Sequence, residues 1–455
     1  MNKASSKTIT VVGAGYVGLP TAALFAHAGH KVYVLDINPT RLQAIKQGRS
    51  FFYEEGLDPL VAKAVSDGLL IPSNSYEECI PGSDLVFSCV GTPDNPDGSS
   101  NLQYVFDAAE KAAELMKPGT IYVQKSTVPV GTGSKVTDAM SRIKTNISYV
   151  SNPEFLREGT ALSDSLFFDR VVVGGSDNKA VEAVTDIYKS VEAVRSEIAK
   201  LAGIKPTNNQ GSYITTNLNS AELIKVNSNA FLALKISFAN SIAKLADETG
   251  ADINEVMDAV GADKRIGRAF LNAGRGYGGG CFPKDVSGLI SSASEYGVDL
   301  AIMAAASDLN ETMPGYIANK AQESLDGLKG KKVAVLGLAF KAGTSDARRS
   351  PGVKLANILA KNGAIVSAYD PEANKEAEEE LRKGITIADS LAKAVKGADA
   401  VFIATEWPEF LEIDIKQLAT QMRGKLFVDC MNAFNKTKVE QSGLSYIGVG
   451  RNGKP

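Results

Sequence analysis

The chain opens on an apolar, β-branched run, Thr8–Val12, then Gly13-Ala14-Gly15-Tyr16-Val17-Gly18, an alanine-rich stretch, Gly29 and a second apolar run, Lys31–Leu35. Apolar runs without alternation predict buried parallel strands, and the stretch between them predicts the crossover helix of a βαβ unit. The same rhythm returns in DLVFSCV (84–90), TIYVQK (120–125) and 147–151, each running out into polar turn residues. Residues 206–217, PTNNQGSYITTN, are polar and turn-rich and read as a hinge. From Asn219 to Gly250 the period changes, with Leu223, Val226, Ala230, Leu234, Phe238, Ile242 and Leu245 three or four residues apart. This predicts one helix of roughly 45 Å, opened by the capping box Asn219-Ser220-Ala221-Glu222. A helix that long outruns one small domain and is expected to bridge domains or pack against a second copy. Strand, VLG, helix and NGAIVSAYD then recur from residue 331, followed by ADAVFIATEW and KLFVDCMN. This second βαβ start lacks the glycine pattern and carries a longer loop, FKAGTSDARRSP. The expected fold is α/β, with two Rossmann-like doubly wound domains, 1–205 and 326–455, joined by the long helix and an all-α middle region at 206–325.

A length of 455 residues exceeds one ordinary core and fits two or three domains. Apolar residues at 44% and charged residues at 22% are ordinary for a globular protein. A net charge of −3 leaves no basic excess to hold a phosphate backbone, so nucleic acid is not an expected partner. No apolar run reaches the roughly 18 residues of a membrane helix. The opening MNKASSKTITVV runs straight into a strand, so neither a signal peptide nor a membrane partner is expected, and the location reads as cytoplasmic. Cys79, Cys89, Cys281 and Cys430 are far apart without a CxxC pair, so no metal site and no disulfide framework is expected. The histidines are His27 and His30 alone, so acid–base chemistry later in the chain falls to Lys, Asp, Glu or water.

The first glycine pattern gains meaning from its frame. Glycines allow a tight turn and close approach of a pyrophosphate, the helix N-terminus faces the phosphates, and Asp36 follows roughly 20 residues on, where a carboxylate reaches a ribose 2′-hydroxyl. A carboxylate there repels a 2′-phosphate, so NAD is favoured over NADP; Arg41, near the adenosine, pulls the other way. A bare βαβ unit is the alternative. Ligands of such sheets sit beyond the carboxyl ends of the strands, which marks Thr92, Ser126, Thr127, Glu154 and Glu158; turn and cap roles are the alternatives. Lys225 and Asn229 share one face of the long helix, either directed inward to orient an oxygen or solvated on an exposed stripe.

Cys281 follows Gly274, Gly276, Gly278, Gly279 and Gly280, and Pro283 suits the first turn of a helix. A thiol just before a helix N-terminus, beside Lys284, is poised toward thiolate. The glycines are expected to clear space for an approaching ligand. An inert buried cysteine is the competing reading. Two nucleotide folds around a long helix suggest a cleft with NAD on one side and a second nucleotide on the other, where Lys341, Arg348 and Arg349 meet phosphates or form a solvated basic loop.

Taken in order, GAGYVGLP, VGTP with DGSSNL, QKSTVPVGT, NPEFLREGTA, AELIKVNSNAFLALKISFANSIA, RIGRAFLNAGRGYGGGCFPKDV, GLAFKAGTSDARRSP and ATEW resemble the UDP-glucose/GDP-mannose dehydrogenase family over nearly the whole chain. The resemblance implies a homodimer or higher oligomer that oxidises a sugar C6 alcohol to a carboxylate with two NAD⁺. ATEWPEF points to UDP-glucose, giving UDP-glucuronate; GDP-mannose, UDP-N-acetylmannosamine, UDP-N-acetylglucosamine and a non-catalytic nucleotide-binding protein remain as alternatives. It implies that Cys281 traps the aldehyde as a thiohemiacetal and then a thioester. Lys225 and Asn229 would hold the oxyanion, and Asp285, with Thr127 and Glu154, would order water or act as base. Gly13, Gly15, Tyr16, Val17, Gly18, Asp36, Arg41, Thr92, Ser126, Thr127, Glu158 and Arg348 match positions that hold NAD. Glu154, Phe155, Leu156, Arg157, Glu158, Lys225, Asn229, Arg265, Phe270, Asn272, Tyr277, Gly278, Phe340 and Lys341 match positions that hold the nucleotide sugar, Arg265 across a dimer interface. Three departures stand out: Arg349 where the family often has Glu, GGGC for GGSC, and Met431 where relatives often carry an arginine.

Overall fold

The computed structural model describes residues 6–451; the first residues of the opening segment, on which the signal-peptide expectation rests, lie outside it. The chain groups into two compact units, Met1–Ser228 and Asn229–Pro455.

The first unit is built on strands β1 (Thr8–Val12), β2 (Lys31–Leu35), β3 (Leu70–Ser73), β4 (Leu85–Ser88), β5 (Ile121–Gln124), β6 (Ser148–Ser151), β7 (Arg170–Gly175) and β8 (Ser212–Thr216). They form one sheet in the order β3-β2-β1-β4-β5-β6-β7-β8. All neighbours are parallel except β6 and β7, which meet antiparallel. The order reverses between β1 and β4, the switch point at which such sheets hold ligands. Val11, Val34, Phe87 and Val123 are buried under the helices, as continuous apolar strands require. The expected hinge at 206–217 is corrected here: Ser212–Thr216 pairs along β7 as the last strand of the sheet. Its β-branched residues, Ile214, Thr215 and Thr216, suit an exposed edge strand.

The long helix runs Leu218–Thr249, close to the expected span. Its opening differs from the capping box. The side chain that accepts from the first turn is that of Asn217, from the Ser220 N–H at 2.8 Å. Glu222 instead turns into the unit and accepts the N–H groups of Gly131 and Gly133, both at 2.7 Å. It thereby caps the helix Thr132–Ile143 from outside.

The second unit carries β9 (Lys332–Leu336), β10 (Ile365–Tyr369), β11 (Thr386–Ile387), β12 (Ala400–Ile403), β13 (Leu426–Asp429) and β14 (Ser445–Ile447). This all-parallel sheet has the order β11-β10-β9-β12-β13-β14, again with a switch point, between β9 and β12. Ala239, Ala243, Ala246, Met257 and Met313 of the middle helices share one apolar cluster with Val335, Leu336 and Phe402. Among the described residues no helix is long and apolar enough to cross a membrane.

Candidate active site

In the first unit the glycine pattern closes the turn from β1 into the helix Gly18–His27. A Cβ on Gly18 would lie 1.8 Å from the Gly13 carbonyl oxygen, so helix and turn touch backbone to backbone. A Cβ on Gly15 would meet nothing within 4 Å. The helix that begins there has no side-chain cap. A bare backbone face beside an uncapped helix N-terminus fits a pyrophosphate. Asp36, 5% exposed, accepts the Ala14 N–H at 2.7 Å and the Asn38 N–H at 2.8 Å. The carboxylate therefore fixes the glycine turn. Arg41 sits 3.5 Å from Asp36 and lies over the Phe51 ring at 4.7 Å. Tyr16 packs on Phe52, ring centroids 4.4 Å apart, beside Val17 at the helix start.

Beyond β4 and β5, Thr92 is buried and Ser126 and Thr127 are half-buried. The Ser126 hydroxyl donates to the Val90 carbonyl at 2.7 Å, tying these two loops together. Past β6, Glu154 is buried; it accepts the Leu156 N–H at 2.7 Å and meets Lys225 Nζ at 3.1 Å. Lys225, 3% exposed, is thus directed inward rather than solvated. Phe155 lies under two cations, Arg170 at 3.9 Å and Lys225 at 5.4 Å from its ring centre. Arg157 is exposed and spent on Asp164 at 2.6 Å, and Glu158 is half-buried.

In the second unit Cys281 is exposed and occupies the N-cap of the helix Phe282–Glu295, which has no side-chain cap and carries a proline in its first turn. The Asp285 N–H donates to the Cys281 carbonyl at 2.8 Å. Asp285 is buried; its Oδ2 accepts Asn229 Nδ2 at 2.6 Å and its Oδ1 accepts Lys284 Nζ at 2.7 Å. Burial pushes the thiols of Cys79 and Cys89 up to about 11 and about 12, and the Cys430 thiol higher still. Phe270, Tyr277 and Phe282 form an aromatic group beside Cys281, with centroids 6.0–6.1 Å apart. Burial raises the Tyr277 phenol to about 12. Arg265 is exposed and held by Asp263 at 2.5 Å, and Asn272 accepts from Arg268 at 2.7 Å.

Of the glycines before Cys281, Gly278, Gly279 and Gly280 stand against the loop after β9, Gly274 against the Cys430 carbonyl and Gly276 against Asn310. A Cβ on Gly278 would lie 2.4 Å from the Arg349 carbonyl oxygen, on Gly279 2.8 Å from the Phe340 ring, and on Gly280 2.7 Å from the Arg348 guanidinium. The Gly279 N–H donates to the Arg348 carbonyl at 3.0 Å. Arg348 itself is bidentate on Asp346, 2.8 and 2.7 Å, and Lys341 lies 5.7 Å from the Phe340 ring centre. Sequence reasoning also missed the side chains that pin this loop. Asn310 accepts the Tyr277 N–H at 2.8 Å and donates to its carbonyl at 3.0 Å, while Asn240 accepts the Gly274 N–H at 2.7 Å. Their signal is an amide within an otherwise apolar helical pattern.

Three family descriptions match in order: the NAD binding domain of the UDP-glucose/GDP-mannose dehydrogenase family at residues 7–192, its central domain at 219–312 and its UDP binding domain at 334–436. A UDP-glucose 6-dehydrogenase of Bacillus subtilis (strain 168) is 37% identical over 446 residues, 97% of each chain. One from Rhizobium meliloti (strain 1021) is 38% identical, covering 97% of this chain and 99% of the relative. Among solved structures, a UDP-glucose dehydrogenase from Pyrobaculum islandicum superposes with a TM-score of 0.89 at 38% identity, over 99% of both chains. A UDP-D-ManNAc dehydrogenase from Pyrococcus horikoshii gives 0.84 at 30%, over 98% and 99%. The chain belongs to the UDP-glucose/GDP-mannose dehydrogenase family and is an NAD-dependent nucleotide-sugar dehydrogenase.

Proposed function

We propose that this chain oxidises the C6 hydroxyl of UDP-glucose to the carboxylate of UDP-glucuronate through a covalent adduct on Cys281. The observation that carries this reading is the exposed thiol at an uncapped helix N-terminus, one turn before a buried Asp285 held by Asn229 and Lys284. Helix polarity and a neighbouring ammonium both favour thiolate. The turn Gly13–Gly18 with Asp36 would hold NAD⁺, which would supply the hydride acceptor, one molecule for each of the two oxidations. The Cys281 thiolate attacks the C6 aldehyde, forming a carbon–sulfur bond and a thiohemiacetal; after the second oxidation, water cleaves the thioester to acid and thiol. Asn229 steadies the oxygen that gains charge, and Asp285 orders the water. A covalent step suits a four-electron change because it keeps the aldehyde from escaping.

UDP-glucose is preferred because two curated relatives named for it match at 37–38% over nearly their full length. The Pyrococcus neighbour supports UDP-N-acetylmannosamine as the second reading. NADH release across UDP-glucose, GDP-mannose, UDP-N-acetylmannosamine and UDP-N-acetylglucosamine decides between them; two NADH per UDP-glucose are expected. One NADH with free aldehyde as final product rules out the covalent route, as does full turnover by Cys281→Ser. The same reading includes a homodimer, supported by Phe231, Phe238 and Leu245, seven residues apart on the long helix and 57, 48 and 59% exposed. Phe238→Glu should halve the mass seen by light scattering; an unchanged mass refutes that face.

A further inference from the structure

Arg275, within the glycine-rich stretch, is 1% exposed. Its N–H donates to the Cys430 carbonyl at 2.9 Å. Nη2 donates to the Phe340 carbonyl at 2.8 Å and to the Thr405 hydroxyl at 3.3 Å, and Nε lies 3.2 Å from Met431 Sδ. Nη1 is buried and has no hydrogen-bond partner. Phe340 follows β9, Thr405 follows β12, and Cys430 and Met431 follow β13. The guanidinium therefore reaches the carboxyl ends of three neighbouring strands, at the switch point where an open α/β sheet holds its ligand.

Among the described residues no carboxylate forms an ion pair with Arg275; Asp370 and Glu406 act on it only through space. Asp370 is already occupied by the N–H groups of Leu338 and Ala339 and by Trp407 Nε1. Guanidinium stays protonated even when buried, and a buried charge without a partner is costly. A fold that keeps one at its ligand crevice gains the compensation when an anion arrives.

We propose that Arg275 is the positive charge that draws and holds the diphosphate of the nucleotide sugar, and so determines affinity for nucleoside diphosphates over nucleosides. This rests on the nucleotide-sugar reading above. It also accounts for Met431, whose sulfur touches the guanidinium: the cation comes from the glycine stretch instead of from the end of β13.

The test is calorimetric titration of UDP, UMP and uridine into the full-length enzyme, its Arg275→Met and Arg275→Lys variants, and the double variant Arg275→Met, Met431→Arg. Charge-assisted hydrogen bonds predict a loss of about 10- to 100-fold for UDP in Arg275→Met. Uridine should change less than about twofold, NAD⁺ affinity should hold, and the double variant should regain UDP. Methionine removes an unpaired charge at similar volume but also leaves the Phe340 carbonyl and Thr405 hydroxyl without their donor, so melting temperature is measured alongside. If it falls, the lysine variant carries the test, again expecting a loss for UDP larger than for uridine. Unchanged UDP affinity, or parallel losses for UDP and uridine, overturns the proposal. A wild-type enzyme that binds GDP and not UDP overturns the uridine reading alone; Arg275 is then judged on GDP against guanosine.

Discussion

The contact between the glycine stretch and Phe340 sets a measurable cost on Gly279→Ala. Gly279 has φ +84°, a backbone region that costs an alanine about 1–2 kcal/mol. Its new Cβ would also stand 2.8 Å from two carbons of the Phe340 ring, well inside the roughly 3.5–4 Å of ordinary carbon contact. The ring cannot retreat with its backbone, because the Phe340 N–H donates to the Asp346 carbonyl at 2.9 Å and its carbonyl accepts Arg275 at 2.8 Å. Overpacking of this kind costs about 1–3 kcal/mol, so the variant should lose roughly 2–5 kcal/mol in total. Two controls separate the terms. Gly267→Ala has φ +71° and open space around its Cβ, so it should lose the backbone part alone. Gly280→Ala has no positive φ, and its nearest neighbour is the end of the Arg348 side chain, which can yield by letting go of Asp346, so its cost should be smaller than that of Gly279→Ala. The assay is urea unfolding followed by tryptophan fluorescence. Trp407 is the chain's one tryptophan and is buried in the second unit, so the signal reports that unit directly. A Gly279→Ala midpoint no lower than that of Gly267→Ala would show that the ring is no obstacle and that the glycine is needed for conformation only.

Glu222 gives a prediction in pH. Burial raises its carboxyl to about 7 from the usual 4.5, so the stability it contributes is fully present below about pH 4.5 and is lost as pH rises through 7. Glu222→Gln should flatten that decline in the first unit, measured as urea midpoints by circular dichroism from pH 5 to 8; equal slopes for both proteins would refute it. Lys225→Met leaves Glu154 buried without its ammonium, which should destabilise the first unit by about 3–5 kcal/mol and lower kcat. A variant with unchanged melting temperature would mean the carboxylate has found water or another donor.

What was legible in the chain was what its own neighbours determine. The turn Gly13–Gly18 with Asp36, the helix Leu218–Thr249 and the placement of Cys281 before a proline-started helix all follow from spacings within one or two elements. The edge strand Ser212–Thr216 was hidden although its β-branched residues announce it, because the polar turn residues before it dominate the pattern. The partners of a polar side chain were less legible still. Glu222 sits where a capping box needs it, yet a carboxylate on the inner face of a helix answers to whichever N–H groups the fold delivers, here those of Gly131 and Gly133.

The glycines before Cys281 show the same limit from the other side. A missing Cβ says that something comes close, and the sequence does not say what. Here the neighbour is a loop that starts about sixty residues later. Gly278, Gly279 and Gly280, just before Cys281, stand against Arg349, Phe340 and Arg348, so a substitution in that distant loop is expected to reach the thiol by moving the stretch that carries it. Arg275 carries the argument further. In the sequence it is one basic residue among glycines, but folded it is, among the described residues, a cation with no ion pair at the ends of β9, β12 and β13. An uncompensated charge is a property of the surroundings, and it becomes evidence for a ligand only once those surroundings are known.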